Sequence, residues 1–339
     1  MRTRFAIVGY GHIGRRHAAI VQAHPAADLV AVCEVGEGAG PALPAGIALF
    51  TDLQRLLQEA RFDVACICTP NGLHADQAVA CLRAGKHVII EKPLALTVAD
   101  CDRIIATAEA YDRQVFGVMQ NRYSPASAWL KGLIDAGKLG EILQVHVTCF
   151  WNRDDRYYGT GSGRHPWHGH PQLDGGVLFT QFAHFVDLVC WTFGAVEVIA
   201  ARAANQTHRE HHDFPDSGMV HFRLPGGGFG SLNYSTVVYG TNFESTLSVI
   251  GSQGTVKLGG QYMNEVRYCH VAGVAMPDLP RAAPPNDYGG YQGSAANHHY
   301  VIDNAIRVLR GEAVVATPAG EGREVVRFIT EVHRMSEPV

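Results

Sequence analysis

The stretch Phe5-Ala6-Ile7-Val8-Gly9-Tyr10-Gly11-His12-Ile13-Gly14 decides the fold of this 339-residue chain. Phe5–Val8 read as a short buried strand, and Ile13–Ala23 carry a helical pattern. Between them the glycines fall in the spacing G-x-G-x-x-G. In a strand–loop–helix unit the first glycine allows a tight turn and the second lets backbone approach a pyrophosphate. The third lets helix and strand pack closely. The helix N-terminus offers free N–H groups and the positive end of its dipole to the phosphates. Gly9, Tyr10, Gly11, His12, Ile13 and Gly14 are therefore candidate cofactor contacts. A second strand, Leu29–Cys33, ends at Glu34. An acid there can accept hydrogen bonds from ribose hydroxyls and would repel a 2′-phosphate, so NAD is expected in preference to NADP.

Outward from this unit the pattern continues. Strands are readable at Val64–Cys68, His87–Ile90 and Val115–Val118, with helices at Leu53–Glu59, His74–Ala84 and Val98–Tyr111. Thr97 followed by Asp100 resembles a capping box at the start of the last helix. Strands alternating with helices imply a parallel sheet covered on both faces. Ligands of such sheets bind at the carboxyl ends of the strands. Thr69, Pro70, Asn71, His74, Glu91 and Lys92 therefore belong to the same rim as the glycine loop.

After about Asn121 the character changes. A helix (Pro125–Asp135) leads to a long strand, Ile142–Trp151, a Gly/His/Pro-rich loop, Gly159–Pro171, and a helix, Leu178–Phe193. Consecutive strands follow at Val196–Ala204, Gly218–Leu224, Gly228–Thr236, Glu244–Ile250 and Thr255–Leu258, with a hairpin turn at Pro225–Gly228. Ala272–Gln292 reads as an irregular loop, and helices at Ala295–Arg310 and Glu321–Met335 close the chain. The expected fold is α/β: a Rossmann-type, doubly wound parallel sheet over residues 1–121, then an α+β domain over 122–339 built on a large, mostly antiparallel open sheet. The final helices are expected to pack back toward the first domain.

Bulk properties narrow the function. Apolar residues make up 47% of the chain and charged ones 18%, as in soluble globular proteins, and the net charge of −4 gives no reason to expect nucleic acid or an anionic membrane as partner. No uninterrupted apolar run is long enough to cross a bilayer, and the N-terminal run is broken by glycines too soon for a signal-peptide core. The eight cysteines are scattered, mostly in apolar runs, which reads as reduced, buried thiols in a cytoplasmic protein.

Four motifs together resemble the Gfo/Idh/MocA family of oxidoreductases: Gly9–Gly14, Cys68-Thr69-Pro70-Asn71-Gly72-Leu73-His74, Glu91-Lys92-Pro93-Leu94-Ala95-Leu96, and Asp174–Asp187. Gln120–Pro125, Cys149–Tyr158 and Leu178–Asp187 resemble its WlbA/WbpB group. The resemblance implies oxidation by NAD of a secondary hydroxyl, at C3 of a UDP-N-acetylglucosaminuronate-type sugar. It also implies a cofactor contact from Gln120 and, as a further possibility, re-oxidation of retained NADH by a second substrate such as 2-oxoglutarate. Where that group carries Trp-Arg-Gly-Thr, this chain reads Trp167-His168-Gly169-His170. Thr180 stands where many members of the wider family carry Asp, a departure the group shares.

Hydride removal from a sugar alcohol needs a group that takes the hydroxyl proton. Lys92 is the candidate. Burial and the positive nicotinamide both disfavour its ammonium form, and Pro93 restricts its backbone to extended conformations. The resemblance implies a cis Lys92–Pro93 bond. His184 is the expected second catalytic residue. On a continuous helix Leu178–Phe193 it shares a face with Thr180, Asp187 and Trp191, while Leu178, Phe182, Phe185 and Val189 form an apolar face. Asn121, Arg122, Trp151, Asn152, Arg153, Tyr157, Tyr158 and Thr180 are candidates to line the substrate site, a set suited to a sugar bearing anionic groups. The eighteen histidines include two local groups, His165/His168/His170 and His208/His211/His212. Neither has the pattern of a catalytic metal site, and no metal is expected. The alternatives are a dehydrogenase or reductase of a simple sugar or inositol-type cyclitol, and a non-catalytic NAD(H)-binding sensor. The open sheet should bury its free face against a second copy, giving a dimer or tetramer.

Overall fold

The structure is a computed structural model and describes residues 2–35, 43, 46–159, 167–289 and 291–337. The chain forms two compact units, one of residues 1–118 with 298–326 and the other of 119–297 with 327–339. The first unit thus takes in part of the segment 122–339 expected to form the second domain.

In the first unit the elements are β1 (Thr3–Val8), α1 (His12–Ala23), β2 (Ala27–Cys33), β3 (Ala48–Phe50), α2 (Leu53–Glu59), β4 (Val64–Ile67), α3 (His74–Arg83), β5 (His87–Ile90), α4 (Val98–Ala110) and β6 (Val115–Gly117). The strands form one sheet in the order β3-β2-β1-β4-β5-β6, with every pairing parallel. This is the strand order of the dinucleotide-binding fold, whose chain reverses direction across the sheet between β1 and β4. Phe5, Ala6, Ile7, Val64–Ile67 and Val88–Ile90 are wholly buried, as a sheet covered on both faces requires. Strand β3 is short and half exposed, and its sequence gave no signal of it. The Thr97 side chain accepts from the Asp100 N–H at 3.1 Å, so the cap at the start of α4 forms as expected.

The second unit contains α5 (Pro125–Asp135), β7 (Ile142–Phe150), α6 (Asp155–Tyr158), α7 (Pro171–Asp174), α8 (Val177–Thr180), α9 (Ala183–Phe193), β8 (Glu197–Ala204), β9 (Ser217–Arg223), β10 (Phe229–Ser235), β11 (Glu244–Gly251), β12 (Gly254–Gly259), β13 (Glu265–Val271), β14 (Pro285–Asp287) and β15 (Gln292–Ala295). Two helices follow, α10 (His298–Leu309) and α11 (Ala319–Met335), and a last short strand, β16 (Ser336–Glu337). The large sheet has eight strands in the order β13-β12-β11-β7-β10-β9-β8-β16. It is antiparallel except where β7 meets β10 and β8 meets β16. Val145, Val147 and Cys149 of β7 alternate into the core beside Leu232 and Tyr234 of β10, while the intervening side chains face outward.

Three expectations need correction here. The helix read over Leu178–Phe193 is broken at Gln181–Phe182 into α8 and α9. The loop Ala272–Gln292 contains β14, which pairs with β15. Strand β13 was not read at all; its burial is low along most of its length, so no apolar alternation marks it. No single described helix is long and apolar enough to cross a membrane. The segments Pro171–Thr180 and Ala183–Phe193 reach that length only together, across a 55° bend.

Candidate active site

The carboxyl edge of the parallel sheet carries the residues expected at the cofactor. Gly9 turns the chain with φ +87°, and a Cβ there would lie 2.8 Å from the Cys68 carbonyl oxygen and from Thr69 Cγ2. A Cβ on Gly14 would come within 1.9 Å of the Gly9 carbonyl oxygen. A Cβ on Gly11 would meet nothing within 4 Å. Two glycines thus serve the protein's own packing, and the third faces open space. Helix α1 begins at His12 with no side-chain cap and no acid in its first turn, an end suited to an anion. Glu34 accepts from the Tyr10 N–H at 2.5 Å and from the Val35 N–H at 3.0 Å, so its carboxylate sits at the loop.

The adjoining loops are braced from inside. The buried His74 ring lies 2.8 Å from the Pro93 carbonyl oxygen and 2.9 Å from that of Thr69, joining the loop after β4 to the loop after β5. Burial lowers its pKa against the pull of these two carbonyl oxygens, which can both accept only from the doubly protonated ring. Thr69 donates its hydroxyl to Gln77 at 2.6 Å. Glu91 is buried and faces inward, with Oε1 2.8 Å from His17 Nε2. His74 and Glu91, expected at the cofactor, are therefore interior supports of the rim. Lys92 is half-buried, and the Lys92–Pro93 bond is cis.

In the second unit the side chains expected at the substrate fall into two groups. The first group builds the core. Asn121 is wholly buried and accepts from the Ser294 hydroxyl at 2.6 Å and the Ala295 N–H at 3.3 Å. Arg122 makes a buried two-point ion pair with Asp187, at 2.8 Å from Nε and 2.5 Å from Nη2. Trp151 is buried edge-on to Phe182 and Phe185 and donates to Ser245 at 2.8 Å. These three were expected to line the substrate site; Arg122, Trp151 and the Asn121 Oδ1 are engaged by partners distant in sequence, while the Asn121 Nδ2 is a buried donor with no partner among the described residues. Thr180 donates its hydroxyl to Asp174, which also accepts from the Gly169 N–H at 2.9 Å.

The second group is differently placed. The buried Arg153 guanidinium lies over the rings of Trp151, Tyr157 and Tyr291, at 4.9, 5.3 and 4.9 Å. It donates to the carbonyl oxygens of Asn152 and Gln292 and to Asn242 Oδ1, and its Nε–H has no partner. Among the described residues no carboxylate pairs with it, and burial lowers its pKa. Arg153 also lines an open cavity of ≈ 440 Å³ with Asn152, Asp154, Arg156, His208 and Tyr239 among its walls. His184, on α9, is 3% exposed and has Nε2 3.3 Å from the Gln120 side-chain nitrogen. Gln120, expected at the cofactor, thus belongs to the second unit and touches His184.

Among the described residues, the histidines of the two local groups do not bring three ligand atoms within reach of one ion. His165 lies outside the described residues. His168 stacks on Tyr157 at 4.2 Å, and His208, His211 and His212 surround Tyr158. His208 pairs with Asp216 at 3.0 Å and His211 with Asp155 at 2.8 Å. Among the described residues, one trio of potential ligands has all its ligand atoms within 4.8 Å of one another: His17, Glu91 and His298. Sequence reading missed it, because its members are spread over the whole first unit.

Comparison with known proteins agrees with this fold. Residues 3–118 match the model of the Gfo/Idh/MocA oxidoreductase family's NAD-binding Rossmann fold, and residues 128–257 match the Gfo/Idh/MocA C-terminal domain. The chain belongs to the Gfo/Idh/MocA oxidoreductase family. It is similar to the WlbA dehydrogenase of Bordetella pertussis, solved with NADH and UDP-GlcNAcA, at 29% identity and a TM-score of 0.85, covering 99% of this chain and 97% of that one. The Chromobacterium violaceum WlbA structure, also with NADH and UDP-GlcNAcA, gives 27% identity, a TM-score of 0.86, and coverage of 99% and 94%. Inositol 2-dehydrogenase of Salmonella typhimurium is 30% identical over 197 residues, 56% of this chain and 54% of that enzyme. The match therefore spans about half the length of that curated relative.

The Gfo/Idh/MocA glycine loop of this chain fits NAD on its own geometry. The open space over Gly11 and the uncapped N-terminus of α1 suit a pyrophosphate, and the Glu34 carboxylate suits ribose hydroxyls.

Proposed function

We propose that the protein is an NAD-dependent oxidoreductase that oxidises a secondary hydroxyl, at C3, of an anionic sugar of the UDP-N-acetylglucosaminuronate type. Arg153 is the observation that carries the substrate class. A buried guanidinium that among the described residues has no carboxylate partner, and one N–H without an acceptor, is suited to an anionic group of the substrate. A neutral cyclitol would leave that charge uncompensated. The WlbA structures solved with UDP-GlcNAcA support the same class.

When bound, NAD supplies the hydride acceptor. The backbone N–H groups of Gly11–Ile13 would hold its pyrophosphate, and the Glu34 carboxylate would accept from its ribose hydroxyls. Lys92 accepts the proton of the substrate hydroxyl as its C–H bond gives up hydride. His184, its ring held by Gln120, is the second residue handling the proton. The chain acts as a homo-oligomer in which the outward face of the eight-stranded sheet, where Met219 and Phe229 are exposed, is covered by a second copy.

The test is turnover of NAD by the purified protein with UDP-GlcNAcA or myo-inositol as substrate. Reduced nicotinamide forms with the first and not the second. Turnover of myo-inositol alone would replace this reading with the cyclitol one.

A further inference from the structure

Each of two amphipathic helices of the first unit carries a histidine on its apolar face. On α1 His17 is buried beside Ala18 and Val21, and on α10 His298 is buried with Val301 and Ile302. The two helices touch, and the imidazole rings stand edge to face, 5.5 Å between centroids. Glu91, just past the end of β5, presents one carboxylate oxygen to both rings. Its Oε1 lies 2.8 Å from His17 Nε2 and 3.5 Å from His298 Nε2. The side chains of His17, Glu91 and His298 are 0%, 8% and 1% exposed, and their ligand atoms all fall within 4.8 Å of one another.

Hydrogen bonding accounts for only part of this cluster. His17 Nε2–H can donate to Glu91 and satisfy both. His298 is left over. Among the described residues neither of its ring nitrogens has a hydrogen-bond partner, although the ring is wholly buried. A neutral imidazole carries one N–H and one lone pair in either tautomer. Burying both unmet is costly, and an apolar ring would fill the same helix face without that cost.

We propose that His17, Glu91 and His298 form a structural site for a divalent transition-metal ion, zinc by the class of its ligands. Two imidazole nitrogens and a carboxylate oxygen are ligand types that zinc takes, and a water completes the tetrahedron. Bonds of about 2.0–2.1 Å set tetrahedral ligand atoms roughly 3.3 Å apart. The 3.5 Å separation of Glu91 from His298 is close to that spacing. The shorter one, to His17, opens by about half an ångström as His17 changes tautomer and turns its Nε2 lone pair to the ion.

The surroundings discriminate between ions. Arg16 and Lys92 act on His298 as positive charges. Magnesium and calcium are held by charge through several oxygen ligands, and one carboxylate beside cations gives them little. Zinc bonds the imidazoles as neutral ligands and is disfavoured less. The ion clamps α1, which opens at the glycine loop, to α10 and to the end of β5. Glu91 Oε2 accepts from the Lys92 backbone N–H at 3.3 Å, so the clamp reaches the rim.

The experiment takes the full chain, dialysed against EDTA and then against ZnCl2 until the count is constant, with bound metal measured by elemental analysis after gel filtration. Wild type keeps about one zinc per chain more than Glu91→Gln or His298→Gln, whose zinc affinity falls about a hundredfold or more. His299→Gln, which changes the exposed neighbour of His298, keeps the wild-type count. That comparison separates the site from zinc held loosely by the chain's other histidines. Zinc raises the wild-type thermal midpoint by several degrees, and magnesium does not. Cobalt(II) in the wild-type chain gives the intense visible absorption of a four-coordinate ion, a readout that stands even where the variants fail to fold. Equal zinc in wild type, Glu91→Gln and His298→Gln overturns the proposal, as does the pale spectrum of six-coordinate cobalt. The count needs neither NAD nor a sugar, so it stands or falls apart from the proposed turnover.

Discussion

Gly11 and Gly14 belong to one motif but answer to different constraints. A methyl group at Gly14 collides with the Gly9 carbonyl oxygen, whereas one at Gly11 enters space that the protein leaves open. Gly14→Ala should therefore destabilise the first unit by roughly 1–3 kcal/mol, as overpacking does. Gly11→Ala should leave the thermal midpoint unchanged while weakening NAD binding about tenfold, roughly 1.4 kcal/mol, as read by calorimetric titration. The glycine motif was legible in the sequence because its constraint is local, set by the turn and the residues three and five places away. Asn121, Arg122 and Trp151 were legible only as polar or aromatic residues at domain edges. Their partners Ser294, Asp187 and Ser245 lie far along the chain, and nothing in the local sequence assigns them. Arg153 was legible as an anion-binding candidate by residue type, while its aromatic surroundings required the fold.

At the scale of elements, the break between α8 and α9 shows the same limit. Thr180-Gln181-Phe182 contains neither glycine nor proline, so periodicity reads straight through it. The interruption coincides with capture of the Thr180 hydroxyl by Asp174, which also holds the Gly169 and Gly176 N–H groups. The face shared by Thr180 and His184 on a continuous helix does not exist, and His184 sits in the first turn of a new one. Helix α9 is tied instead through Asp187 to the Arg122 turn. Removing one partner of a buried ion pair strands the other charge, so Arg122→Met should cost roughly 3–5 kcal/mol in denaturant unfolding. Arg122→Met combined with Asp187→Leu should recover most of that loss. A large fall in substrate affinity with stability unchanged would return Arg122 to the substrate site.

Across the whole molecule, buried neutral histidines set the response to acid. Burial lowers His298 to about 3 and His212 to about 4 from an ordinary 6.5. Below pH 6.5 the unfolded chain binds protons that these folded sites refuse, so stability falls as pH drops from about 6.5 toward 4. Glu91 and Asp216, both held at about 2, act lower: their contribution is present above the ordinary carboxylate range and disappears as pH falls through about 2. The thermal midpoint should decline between pH 7 and pH 5, and the slope should be shallower in His298→Gln. A slope unchanged by that substitution would show that His298 is not a neutral buried group.

The central claim is that Lys92 takes the hydroxyl proton during oxidation of an anionic sugar by NAD. The most direct measurement is the formation of reduced nicotinamide from NAD and UDP-GlcNAcA by wild type and by Lys92→Met, with NAD binding checked separately for each. The account predicts turnover by wild type and a loss of about 10²–10⁴-fold in Lys92→Met with NAD still bound. Wild-type turnover by NAD-loaded Lys92→Met would contradict it.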